Sequence, residues 1–193
     1  MYEYIKGLLE EVKPTSAVVE NEGIGYLLNI SLNTYSRLKL GAEAKLFIHQ
    51  EVREDAIILH GFADKKEREI FRMLISVSGI GCNTARMMLS SLSPDEIQKA
   101  IISADINLLK SIKGIGLKTA QRVVIELKDK FGKTQEKEEI FFTGGNTVAN
   151  ESLSALIMLG FNKALAEKAV LKLASENKDI KVEELVKRAL KML

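Results

Sequence analysis

The eight residues Ser78-Gly79-Ile80-Gly81-Cys82-Asn83-Thr84-Ala85 return in altered form as Lys113-Gly114-Ile115-Gly116-Leu117-Lys118-Thr119-Ala120, with Gly, Ile, Gly, Thr and Ala held in place. Self-similarity of this kind implies one structural unit used twice. In each copy a helical pattern runs in, Gly-Ile-Gly turns the chain, and a second helical pattern begins. The glycines permit positive φ and remove side chains that would keep a ligand from the backbone. The Ile between them can anchor the bend in a core. Amide groups at the start of the following helix then lack intrahelical acceptors, and the helix dipole favours an anion beside them.

That geometry suits phosphate, and two copies suit two phosphates along one backbone, a contact that fixes position without reading sequence. The candidate binding residues are Gly79, Gly81, Asn83 and Arg86 at the first bend. At the second they are Gly114, Gly116, Lys118, Thr119 and Arg122, with Lys113 nearby. Other glycine motifs do not fit. A P-loop needs Gly-x-x-x-x-Gly-Lys-Ser/Thr after a strand. Gly116-Leu117-Lys118-Thr119 has the wrong spacing and follows a helix. Thr84 and Thr119 stand where a dinucleotide fingerprint needs its third glycine.

Charge distribution points to the same segment. The net charge is only +2, but residues 64–133 hold 13 Lys/Arg against 8 Asp/Glu, whereas residues 1–63 hold 6 against 9 and the remainder cancels. A local basic excess favours a polyanion there. No apolar run approaches the roughly 18 residues of a membrane span. The N-terminus does not read as a secretory signal, and one cysteine excludes an internal disulfide framework, so a cytoplasmic location is expected.

Residues 1–63 predict β structure, with runs at Tyr2–Val12, Ser16–Glu20, Ile24–Ser31, Ala44–Val52 and Ala56–Phe62 and a short helical turn within Thr34–Leu40. Five short strands must close to hide their edges, so an OB-like barrel is expected, with an SH3-like barrel as the alternative. Residues 64–132 predict an all-α domain of tandem helix-hairpin-helix units. Asp64 with Glu67 reads as a capping box, as does Ser93 with Glu96 behind Pro94. Its last helix is expected over Leu117–Phe131. A charge run and Thr143-Gly144-Gly145-Asn146 predict a flexible linker over 133–148, in which Ile140-Phe141-Phe142 has no evident role. Residues 149–193 predict a small three-helix domain. The whole is a multidomain β-then-α chain.

Elsewhere the sequence offers little chemistry. His49 and His60 each stand alone and read as satisfied strand histidines. Cys82 reads as a small filler in the first bend, and Glu54-Asp55 as polar turn residues. No Ser/His/Asp set, metal-ligand spacing or supported carboxylate pair is present, so no enzyme, cofactor or metal is expected.

Together these features resemble the RuvA family, the bacterial Holliday-junction-binding subunit of the branch-migration complex. The resemblance covers essentially the whole chain. Its most specific stretches are Val52-Arg53-Glu54-Asp55-Ala56, Leu59-His60-Gly61-Phe62 and Ile112 to Ala120. It implies a non-catalytic homotetramer, sometimes doubled to an octamer, that binds DNA four-way junctions in recombination, repair of DNA damage and the SOS response. It implies an acidic pin at Glu54 and Asp55, and a C-terminal domain that docks the hexameric RuvB ATPase, with Leu159, Gly160 and Phe161 marking its first turn. The RuvC resolvase is a further implied partner. Asn83 departs from the Lys common in the family, which leaves the first bend to backbone amides and Arg86.

Overall fold

Alternating apolar residues and β-branched content place five strands in a computed structural model of the chain: β1 (Tyr4–Lys13), β2 (Ser16–Asn21), β3 (Ile24–Asn29), β4 (Glu43–Val52) and β5 (Ile57–Phe62). They close into a barrel in the order β1-β2-β3-β5-β4. β3 meets β5 in parallel at Asn29 and His60, and the other pairings are antiparallel. The OB-like expectation holds, and closure leaves no long open edge. Leu9, Val19, Leu28, Ile30, Leu46 and Ile48 fill the interior.

The structure describes the backbone of residues 1–142, 147–177 and 180–193; side-chain surroundings are described outside 132–147, 176, 178 and 179. Two compact units result, Met1–Lys133 and Thr134–Leu193. In the first, a helical turn α1 (Leu32–Tyr35) joins β3 to β4, and helices α2 (Lys65–Ile75), α3 (Cys82–Ser91), α4 (Pro94–Ile102) and α5 (Ile106–Ser111) follow. α6 begins at Leu117. α1 lies earlier than the sequence predicts, because Ser31 caps it by accepting from Thr34 N at 3.0 Å. Phe62 of the barrel, Phe71, Leu74, Met88, Ile101 and Leu127 belong to one continuous helical core. Burial of each such side chain contributes about 1.5–3 kcal/mol.

Polar groups then fix how barrel and helices meet within this unit. Asp64 caps α2, accepting from Glu67 N at 2.8 Å. Glu67 does not reach back to complete the predicted capping box. Its carboxylate is fully buried and accepts instead from the hydroxyls of Ser31 and Thr34, the latter at 2.6 Å. A tertiary partner outcompetes the local one. The adjacent Arg68, 4% exposed, donates to Glu3 Oε1 at 2.6 Å and Glu3 O at 2.9 Å. At α4 the predicted box does form: Ser93 N donates to Glu96 Oε2 at 2.8 Å, and Glu96 N to Ser93 Oγ at 3.3 Å.

α6 extends over Leu117–Phe142 rather than stopping near Phe131. The stretch after Gly132 is rich in Lys, Glu and Gln, which favour helix without any apolar stripe, so the amphipathic pattern ends before the helix does. Helix thus occupies the first part of the stretch expected as a linker, including the backbone of Ile140-Phe141-Phe142, whose side chains lie outside the described residues. Residues 143–146 also lie outside them. In the second unit α7 (Thr147–Met158), α8 (Lys163–Glu176) and α9 (Val182–Leu190) pack around Leu156, Ala166, Val170, Leu173 and Leu185. Among the described residues no helix is long and apolar enough to cross a membrane.

Glu67→Ala strands the Ser31 and Thr34 hydroxyls in the interior and is expected to destabilise the chain by at least about 3 kcal/mol. A urea midpoint equal to wild type would show that this buried contact does not hold α1 to α2.

Candidate nucleic-acid interface

Both Gly-Ile-Gly bends adopt the same backbone path. The first glycine of each has positive φ, +93° at Gly79 and +91° at Gly114. The Ile that follows is buried, Ile80 and Ile115 each 5% exposed, and its amide closes a turn onto Val77 O at 3.1 Å or Ile112 O at 3.0 Å. The second glycine then opens a helix: Ala85 N donates to Gly81 O at 3.0 Å, and Ala120 N to Gly116 O at 2.9 Å.

The two glycines of each bend are needed for different reasons. Gly79 and Gly114 hold a left-handed conformation that L side chains resist. Gly81 and Gly116 do not have positive φ, and a Cβ built on either would meet nothing within 4 Å. Nothing among the described residues therefore demands glycine at these two positions. A bare backbone there lets an outside group approach the helix N-terminus, where Gly81 supplies no side-chain cap. All four glycines are exposed. Such an arrangement can hold an anion, with the dipoles of α3 and α6 adding favourable potential.

The flanking side chains divide into two groups. Asn83, Lys113 and Lys118 are exposed beside the bends, and Thr119 is half-buried. Arg86, expected at the first bend, faces the barrel: its Nη1 donates to Thr15 O at 3.1 Å and Asn29 Oδ1 at 3.0 Å. Arg122 Nη1 donates to Ser78 O at 3.2 Å, so a side chain on α6 clasps the turn of the first bend. Its Nε lies 3.7 Å from Glu126. Spacing along the sequence does not reveal either tether, because the acceptors are on distant segments.

Glu54 and Asp55 are exposed at the tip between β4 and β5, where Arg53 N donates to Ala56 O at 2.8 Å. The neighbouring Arg53 guanidinium turns back to Glu51 Oε1, at 2.9 and 2.7 Å, while its charge still acts on Asp55. Just below, the expectation of isolated histidines fails. His60 is 2% exposed, its Nε2 lies 3.1 Å from Glu51 Oε2, and its Nδ1 is buried without a partner among the described residues. Cys82 also approaches, so Glu51, His60 and Cys82 offer ligand atoms within 4.8 Å of one another. Burial pushes the Cys82 thiol up to about 11, helped by its contact with Glu51. Burial alone would raise Glu51, but hydrogen bonds from Arg53, His60 and Cys82 hold it below the usual carboxylate range. The three residues come from two strands and a helix, so no motif spacing announces them. His49 and His60 both lean on Phe71, with ring centroids 5.3 and 5.2 Å away.

In the second unit Gly160 has φ +95° and ends α7 in a Schellman turn, with Gly160 N to Ile157 O at 3.0 Å and Phe161 N to Leu156 O at 3.1 Å. Phe161 packs on the core, while Leu159 is exposed. Met158, Leu165 and Leu171 are exposed as well, a feature that helical periodicity alone does not single out.

The chain is similar to known proteins along its full length. Residues 1–61 match the family description "RuvA N terminal domain", residues 71–129 "SAM-like Helix-hairpin-helix tandem", and residues 147–193 "RuvA, C-terminal domain". Curated relatives named "Holliday junction branch migration complex subunit RuvA" include that of Bacteroides thetaiotaomicron, 49% identical over 201 residues, covering 100% of both chains. Those of Bacteroides fragilis and Christiangramia forsetii are 50% identical over 202 and 193 residues, again covering 100% of both chains.

Alanine substitutions should separate the two kinds of glycine. Gly79→Ala or Gly114→Ala is expected to cost about 1–2 kcal/mol through backbone strain. Gly81→Ala or Gly116→Ala should cost only about 0.5 kcal/mol, Ala being a slightly poorer helix cap. Equal losses in urea unfolding would contradict this division.

Burial lowers both His49 and His60, so the unfolded chain binds protons more readily than the folded one. The stability gained from keeping these rings neutral is complete above the unfolded value of about 6.5 and is lost as pH falls toward the folded values. The thermal midpoint should therefore drop between about pH 7 and about pH 5.5, where most carboxylates are still ionised. A flat profile there would show that the rings are not shielded.

Proposed function

The chain belongs to the RuvA family, and from that premise we propose that it binds four-way DNA junctions by their backbones, without reading sequence, and serves a RuvB-type motor in branch migration. It makes and breaks no covalent bonds itself; ATP hydrolysis belongs to the motor. The observation that carries this reading is the pair of bends with matching backbone geometry and second glycines that nothing among the described residues requires. Backbone amides at Gly81 and Gly116 and the starts of α3 and α6 donate to phosphate, and Lys118, with Lys113 beside it, adds charge at the second bend. At the first bend Asn83 and the amides carry the contact, since Arg86 Nη1 is engaged with the barrel.

Glu54 and Asp55 act as the acidic pin. In a four-fold assembly, copies of this tip gather at the crossover, repel phosphates and steer strands apart. That repulsion limits affinity and shapes the path of the DNA. The chain works as a tetramer, and its functional segments are a barrel over 1–63, a hairpin domain over 64–132 and a motor-docking domain over 149–193. Exposed Leu159, together with Met158 and Leu165, supplies apolar surface for docking. Work of this kind belongs in the cytoplasm, with the chromosome.

The test is a gel shift comparing a four-way junction with linear duplex of the same sequence. Junction should bind more tightly, and Gly116→Ala should weaken it while leaving the fold largely intact. Lys118→Glu should weaken it too, and should flatten the dependence of log K on log salt by about 0.9 for each phosphate left unneutralised. Equal affinity for both DNA forms would end the junction reading, and an unchanged salt slope would remove Lys118 from the interface.

A further inference from the structure

We propose that Glu51, His60 and Cys82 form a site for a zinc-type divalent cation, joining the β4–β5 arm to the start of α3. Each residue offers one ligand atom, all within 4.8 Å of one another. Tetrahedral zinc, with bonds of about 2.0–2.3 Å, sets its ligands roughly 3.3–3.8 Å apart. His60 Nε2 and Glu51 Oε2 are already 3.1 Å apart. The longest separation must shorten by about 1 Å to reach that geometry, within the range of χ rotation in Glu and Cys.

The donors decide which metal fits. Nitrogen, sulfur and one carboxylate oxygen suit zinc, whereas magnesium and calcium take oxygen alone. Three protein ligands leave a fourth position for water. His60 is 2% exposed and the Glu51 side chain 19%, so the ligands are shielded yet the site is not sealed. Arg53 occupies Glu51 Oε1 and leaves Oε2 to face His60. The positive charges of Arg53 and Arg86 both act on the site, and the Glu51 carboxylate together with a Cys82 thiolate formed on binding offsets them. His60 Nδ1 is buried without a partner among the described residues and can carry the ring proton, which leaves the Nε2 lone pair for the cation. Binding sends the Cys82 thiol proton to solvent and involves no redox change.

Cobalt(II) titration of the full-length reduced chain tests the site. Cys82 is the only cysteine, so a thiolate-to-cobalt charge-transfer band reports on this position alone. The band should saturate at one equivalent per chain, vanish in Cys82→Ser and be displaced by zinc. In Glu51→Gln, with folding checked by circular dichroism, affinity should fall at least about tenfold. No band short of cobalt precipitation, or equal affinity in wild type and Glu51→Gln, overturns the proposal.

Discussion

Two neighbouring residues on α2, a buried carboxylate and a buried guanidinium, set the relation between barrel and helices in the first unit. Glu67 faces the hydroxyls that follow β3, and Arg68 faces the chain entering β1. Removing either charge from water is costly, and each is compensated only because several partners converge on it. An apolar seam would supply adhesion but would tolerate sliding. Directional bonds to Ser31, Thr34 and Glu3 accept one docking angle. Phe71 of the same helix packs on the barrel's own Phe62, with ring centroids 4.9 Å apart, and adds the adhesion that the polar pair lacks.

That fixed angle gives the bends and the acidic tip their meaning. Arg86 reinforces it from α3, and Ser90 Oγ accepts from Leu32 N at 3.1 Å. The first bend is therefore anchored to the same barrel that carries Glu54 and Asp55. Under the proposed function, attraction at the bends and repulsion at the tip act together, and neither would be useful if the parts moved independently.

Much of this is legible in the sequence, and for identifiable reasons. The barrel can be read because strand periodicity and turn residues are local, and closure is forced by exposed edges. The bends can be read because positive φ leaves a direct mark in glycine. What escapes reading is contact between distant segments. Glu67 satisfies a local capping template, but its partners are Ser31 and Thr34, at the start of α1. Arg86 and Arg122 look like free cations on a basic segment, yet Nη1 of each donates to an acceptor far away in sequence. Glu51, His60 and Cys82 converge only once β4, β5 and α3 are placed. The end of α6 escapes for another reason: an apolar stripe marks a helix that packs, and a helix built from Lys, Glu and Gln needs none.

Arg122 has one more effect. By donating to the carbonyl of Ser78 from the helix that follows the second bend, it ties the two turns together like the jaws of a caliper. Under the proposed function, a ligand presenting two anions at the matching interval meets both jaws with less entropic cost of aligning them. One with any other interval must bend to fit or engage one jaw alone. The gap in a caliper of this kind selects for shape, even when neither jaw distinguishes one base from another.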